Sequence, residues 1–289
     1  MQAAGGSRGA RIGVVYPNGT GGFISEFLAG AYEAAASSGI RLHFLEMEQP
    51  AGLDEPAVAE FAAASRGGAL LAPPFGDNAD LMSFFAQAGC VTAVVGAYNP
   101  AATISCRIND REASYDLTRS LLALGHRNFG FIAGNPYQAA SAERMLGFYD
   151  AIREVGGANV QLCQGDFTYG SGLSAGERLL SMDCPPTAIV ASNDDMAAAV
   201  VSVAHRRGLN VPLDVSIVGF DDTSTAVTLW PALTTVRQPV RTMAAATLRM
   251  MLELQLTPGE GNQEHIFAHR IVHRASTGSP ASPKKNRSS

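Results

Sequence analysis

Short apolar runs alternate with longer stretches in which apolar residues recur every three or four positions. The first pattern predicts strands buried on both faces, the second amphipathic helices. Residues 11–16 (RIGVVY) read as a strand, 22–38 as a helix that stops at Gly39, and 41–45 as a strand. Residues 55–65 and 79–87 are expected to be helical, with strands at 69–72, 91–96 and 103–108. The pattern then restarts with a helix over 111–124, ended by Gly125. Strands at 128–133, 160–163, 187–191 and 215–219 alternate with helices at 141–155, 172–181 and 193–207. Residues 234–237 read as extended, 240–255 as a helix and 265–271 as one extended segment.

Such alternation implies parallel sheets covered by helices on both faces, with right-handed crossovers. About ten strands are too many for one sheet of this kind, so two α/β sheets are expected. No internal repeat of 20–50 residues is visible. Residues 1–9 are small and Gly-rich, and 276–289 (STGSPASPKKNRSS) lack any apolar period, so both read as disordered tails.

The chain has 289 residues, which suits two domains, and 46% hydrophobic against 16% charged residues excludes global disorder. A net charge of -5 makes this chain a poor candidate for binding nucleic acid through a basic surface. Four scattered cysteines (Cys90, Cys106, Cys163, Cys184) form no CxxC and read as reduced, mostly buried thiols. The start of the sequence lacks the apolar stretch of a signal peptide, and no 18-residue apolar run occurs. A cytoplasmic chain with no membrane segment is the expectation.

Ligands of open parallel sheets sit beyond the carboxyl ends of the strands, which makes each post-strand segment a candidate. The first, Tyr16-Pro17-Asn18-Gly19-Thr20-Gly21-Gly22-Phe23, has two glycines of a dinucleotide fingerprint but Ile24 at the third position. It reads better as a loop that places Tyr16 and Phe23 over a ligand. Asp110 either caps the helix after it or contacts a ligand. Arg144 falls in the expected first turn of its helix, where a cation opposes the dipole. A ligand or a structural ion pair would account for it. Phe167 either stacks on a sugar face or anchors its loop. Asn193 is a good N-cap, and its amide can still donate to and accept from a ligand. Of Asp221 and Asp222 only one can point into a cleft, where a carboxylate can accept two sugar hydroxyls. Gln238 completes the polar set.

No G-x-S-x-G elbow, P-loop lysine, HExxH or zinc spacing occurs, and the six histidines read as satisfied structural or surface residues. No catalytic residue, metal ligand or cofactor is expected. Charged planar groups with aromatic rings are what carbohydrate sites use. Each hydrogen bond to a charged group contributes roughly 1.5–3 kcal/mol, so four or five, less ordering costs, suit micromolar affinity, about -8 kcal/mol.

Five stretches then match in order and spacing: LGHRNF at 124–129, SAERMLG at 141–147, PTAIVASNDDMA at 186–197, VPLDVSIVGFDD at 211–222 and PALTTVRQP at 231–239. Through them the chain resembles the effector-binding core of the lac repressor/galactose repressor (LacI/GalR) family of transcriptional regulators, over about residues 10–275. The resemblance implies a two-lobed periplasmic-binding-protein-like fold with three crossovers, near residues 109, 239 and 268. The N-terminal lobe would be 10–109 plus 240–267 and the C-terminal lobe 110–239 plus 268–275. It also implies that Arg144, Phe167, Asn193, Asp221 and Gln238 line a ligand cleft, with Asp110 less securely matched. The implied function is sugar sensing by a homodimer, with ligand-induced lobe closure altering DNA binding. The helix-turn-helix headpiece of the family is not in this sequence, so operator DNA would be reached only through a headpiece outside it. Two other readings compete. An exported sugar-binding protein of a transporter shares the fold, and a nucleotide-dependent enzyme would use the loop at 19–22.

Overall fold

In the computed structural model, which describes residues 11–19, 21–48, 55–99, 101–256 and 262–280, the chain divides into two α/β units. The first contains β1 (Arg11–Pro17), α1 (Gly22–Ser38), β2 (Arg41–Met47), α2 (Glu55–Ala64), β3 (Ala69–Leu71), α3 (Ala79–Gln87), β4 (Thr92–Val95) and β5 (Ile104–Ile108). The second begins with α4 (Asp110–Ala123), β6 (Asn128–Ala133) and most of α5 (Ala139–Val155). It continues through β7 (Asn159–Gln164), α6 (Tyr169–Leu180), β8 (Ala188–Ala191), α7 (Asp194–Arg206), β9 (Ser216–Asp221), α8 (Ser224–Thr228) and β10 (Thr234–Arg237). The chain returns to the first unit for α9 (Val240–Leu256) and β11 (Gln263–Phe267), and ends in the second with β12 (Arg270–Val272).

Each unit holds one six-stranded sheet, ordered β11-β5-β4-β3-β1-β2 in the first and β12-β10-β9-β8-β6-β7 in the second. Central strands such as β3, β4, β8 and β9 are buried along their whole length, which is why they read as unbroken apolar runs. The sheet of the first unit is parallel throughout. In the second, β12 runs antiparallel to β10, a departure from the all-parallel expectation. Abundant small residues let helices approach closely. A Cβ on Gly30 of α1 would lie 2.2 Å from the Arg241 carbonyl of α9, so no larger residue fits there.

Several expectations change. The extended segment expected at 265–271 is two strands, β11 and β12, divided between the two sheets. Gln238, Pro239 and Ala268 fall in the first unit rather than the second. Helix α5 starts at Ala139, so Arg144 lies beyond its first turn. The C-terminal segment is not a tail from 276 on. Ser276 is buried, its hydroxyl donates to the Ile217 carbonyl at 2.6 Å, and the Gly278 carbonyl lies 2.8 Å from His126 Nε2. The residues expected to be an N-terminal tail, and 281–289, lie outside the described residues. Cys106 and Cys163 are buried, whereas Cys184 is exposed. His43 is not satisfied: its ring packs 4.9 Å from Phe61, and its buried Nδ1 has no hydrogen-bond partner among the described residues. Among the described residues, no helix is long and apolar enough to cross a membrane.

Candidate functional site

The strand order of the second unit reverses between β6 and β8, and ligands of such sheets bind at that switch, outside the carboxyl ends of the strands. The polar residues of this unit concentrate there. Arg144 comes from α5, after β6, and is 6% exposed. Its Nε donates to Asp110 Oδ1 at 2.8 Å and its Nη1 to the Ser192 carbonyl at 2.6 Å. Nη1 also stands 3.7 Å from Asp221 Oδ1. The guanidinium lies 3.7 Å from the centroid of the Phe220 ring and 5.7 Å from that of Phe167. Its Nη2 donates to no acceptor among the described residues. The ion pair that the sequence left open is therefore present, and one edge of the guanidinium remains for another acceptor.

Asn193 caps α7: its Oδ1 accepts from Met196 N at 2.9 Å, while its Nδ2 donates to the Phe167 carbonyl at 2.8 Å. The amide thus fastens the Phe167 loop as well as the helix. The Phe167 ring lies against Gly134, where a Cβ would meet Cζ at 2.0 Å. Among the described residues, three that are not glycine have positive φ, namely Phe167 (72°), Asp221 (110°) and Asp222 (58°), and all belong to this region. Such backbones cost of order 1–3 kcal/mol each and persist where the surroundings over-determine them.

The surroundings here are ionic. The Asp222 carboxylate, almost fully buried, accepts from Arg274 at 2.6 Å and pairs with Arg237. Asp194, 1% exposed, accepts from the Thr223 amide at 2.7 Å and the Thr235 hydroxyl at 2.6 Å. Burial pushes the Asp194 carboxyl up to about 7, and nearby Asp222 adds to the rise. Sequence reading missed this layer, and it missed Phe220 beneath Arg144. Phe220 looks like any strand core residue, and the aspartates look like helix-start acids.

The other three candidates belong to the first unit. Tyr16, half-buried at the end of β1, packs edge-on to Phe44 with centroids 6.2 Å apart. Phe23 lies over Gly96 at the end of β4, where a Cβ would be 3.1 Å from its Cζ. Gln238 is buried just after β10. Ion pairs, a hydrogen bond and a ring contact join Asp110, Arg144, Phe167, Asn193 and Asp221 of the second unit into one cluster. Among the described residues, no group of His, Cys, Asp and Glu could hold a metal ion.

The model of the periplasmic binding protein-like domain family matches residues 118–277, more than half of the chain. The chain belongs to that family. Its relatives in it are LacI-type regulators of transcription, not enzymes. Catabolite control protein A of Priestia megaterium is 35% identical over 176 residues, which cover 60% of this chain and 53% of that protein. The chain spans about half the length of the curated relatives it matches. A solved LacI transcriptional regulator from a Rhodococcus species superposes with a TM-score of 0.83 at 28% identity, covering 94% of this chain and all of that one. The regulator CelR, solved as its cellobiose complex, superposes with a TM-score of 0.84 at 24% identity over 94% of this chain and 85% of its own, a likeness of fold. The periplasmic binding protein-like fold that the family resemblance implied is thus the observed one, and it contains the two α/β sheets that the strand-helix pattern predicted.

Proposed function

We propose that this chain is the effector-binding and dimerisation part of a LacI-type transcriptional regulator that works in the cytoplasm, and that its effector is a sugar. The observation that carries this reading is the buried Arg144 guanidinium, held by Asp110 and the Ser192 carbonyl, with its Nη2 edge unspent. A planar donor edge beside the Asp221 carboxylate and the Phe167 ring suits vicinal hydroxyls and the apolar face of a pyranose. Cellobiose in the CelR complex supports a carbohydrate on this fold.

Asp110, Arg144, Phe167, Asn193 and Asp221 are the proposed ligand contacts of the second unit. Contacts by Tyr16, Phe23 and Gln238 of the first unit belong to the same proposal and are tested separately. Binding of the effector would shift an equilibrium between protomer arrangements in a homodimer, and so change DNA binding of a protein that carries a headpiece. By linkage, DNA would alter effector affinity by the same factor.

The test is a thermal-shift screen against monosaccharides, disaccharides and nucleobases, followed by calorimetry on the best hit with Asp221→Asn and Arg144→Lys. At least one sugar is expected to stabilise the protein, and each variant to weaken it at least tenfold. Stabilisation by a nucleobase and by no sugar overturns the effector class. Undiminished affinity in both variants overturns the site. Light scattering that finds a monomer at micromolar concentration overturns the dimer.

A further inference from the structure

The amino-terminal edge of the sheet in the first unit gathers three arginines. Arg11 opens β1 and Arg41 opens β2, and the register places them side by side. In-register neighbours on adjacent strands project to the same face about 4.8 Å apart. After α2 the chain comes back through Arg66 and Gly67, where the Gly67 amide donates to the Arg11 carbonyl at 2.8 Å. Arg11 and Arg66, with Ala63 and Ala64, line a cavity of about 350 Å³.

These arginines differ from most others in the chain. Arg107, Arg144, Arg237, Arg241 and Arg274 each have a carboxylate at 2.9 Å or closer. Arg11, Arg41 and Arg66 are exposed and form no ion pair among the described residues. Glu60, one turn before Ala64 on the same helix, makes none with them. Arg66 lies just past the end of α2, where a cation complements the helix dipole. That explains one of the three and leaves Arg11 and Arg41 without a reason. Like charges gathered with no counter-charge repel, and the arrangement becomes favourable when an anion joins it.

We propose that this cavity is an anion site that takes a phosphate or phosphate monoester, a second ligand separate from the effector. Guanidinium forks bind phosphate oxygens in pairs, and the alanine methyls leave the space between them open. The volume is that of a small-molecule site. A phosphorylated metabolite and a nucleic-acid backbone offer the same chemistry. The overall charge of -5 disfavours the polymer, and a half-open pocket bordered by two arginines has room for the small anion.

The experiment titrates the chain with pyrophosphate at low ionic strength by calorimetry. It compares Arg11→Gln, Arg66→Gln and Arg41→Gln with Arg249→Gln, which removes the same charge from an exposed position on α9. Saturable one-to-one binding is expected in the wild type and in Arg249→Gln, weakened at least tenfold in Arg11→Gln and Arg66→Gln and less in Arg41→Gln. Absence of binding overturns the proposal, and so does equal affinity across all four variants. A random-sequence DNA duplex that displaces pyrophosphate at micromolar concentration overturns the small-anion assignment. All substituted side chains are exposed, so circular dichroism is expected to report unchanged folding.

Discussion

The two sheets are wound alike, with β1 corresponding to β6, β3 to β8 and β4 to β9, yet their strands end in opposite chemistry. In the first unit β3 runs into Ala72-Pro73-Pro74 and β4 into Gly96-Ala97. In the second, β8 runs into Ser192-Asn193, and β9 ends on Asp221 with Asp222 beside it. The positive φ of 69° at Gly96 is cheap, and an aromatic ring, Phe23, fills the space a side chain would need. The positive φ angles of the second unit fall on Phe167, Asp221 and Asp222, where they are costly. Winding fixes where a strand end lies. What is spent there in strain and buried charge separates a polar strand end from an apolar one.

The sharpest way to break that contrast is to unload the second unit. Asp110→Ala removes the carboxylate from an ion pair whose side chains are 7% and 2% exposed. Removing one partner of a buried pair typically costs about 3–5 kcal/mol, because the other charge is left uncompensated. We expect a loss of that size in urea unfolding, with effector binding abolished. A cost below roughly 1 kcal/mol would mean that Arg144 is held chiefly by the Ser192 carbonyl and the Phe220 ring.

A matched pair of glycine substitutions sharpens the contrast further. Gly134→Ala drives a methyl into the Phe167 ring, 2.0 Å from Cζ, so the ring and its loop must move. Overpacking of this kind costs about 1–3 kcal/mol. Gly96→Ala forces alanine to φ 69° and presses on Phe23 at 3.1 Å, for roughly 1–2 kcal/mol. Calorimetry is expected to show the larger loss of effector affinity in Gly134→Ala. Equal losses would place as much of the binding energy on the apolar strand ends as on the polar ones.

Much of this was legible in the sequence, and the reason is local. Strands buried on both faces are continuous apolar runs, and helices that cover them keep their period, so α1, α3, β6 and β10 fall within their expected limits. The rule that chemistry follows strand ends led to Arg144, Phe167, Asn193 and Asp221. Failures came where distant pairing decides. Nothing between 265 and 271 announces that the chain passes from one sheet to the other. Ser276 and Gly278 look like linker until they meet Ile217 and His126. Helix α8, made of Ser, Thr, Ala and Val, has no apolar period to read. The clamp of Arg237 and Arg274 on Asp222 joins residues up to 52 positions apart, beyond any local pattern.

The smallest effect tests the layer beneath the site. Burial raises the Asp194 carboxyl from its ordinary 3.8 to about 7, so the folded chain holds that proton more tightly than the unfolded one. The contribution is fully present below the ordinary value and is lost as pH rises through about 7, because ionisation places an anion among Thr223, Thr235 and Asp222. His126 acts in the opposite sense. Burial lowers its pKa, so its contribution is lost on acidification, equally in the wild type and in an Asp194 variant. Comparing the two proteins therefore isolates the carboxyl. Asp194→Asn keeps the shape, still accepts from the Thr223 amide and can donate to the Thr235 hydroxyl, but cannot ionise. The wild type is expected to lose stability relative to this variant between pH 4 and 8. At pH 8 the variant should melt higher than the wild type, and the gap should close toward pH 4. Parallel Tm curves across that pH range would show that Asp194 remains an anion in the fold. The strained Asp221-Asp222 backbone would then rest on a charged layer rather than a neutral one.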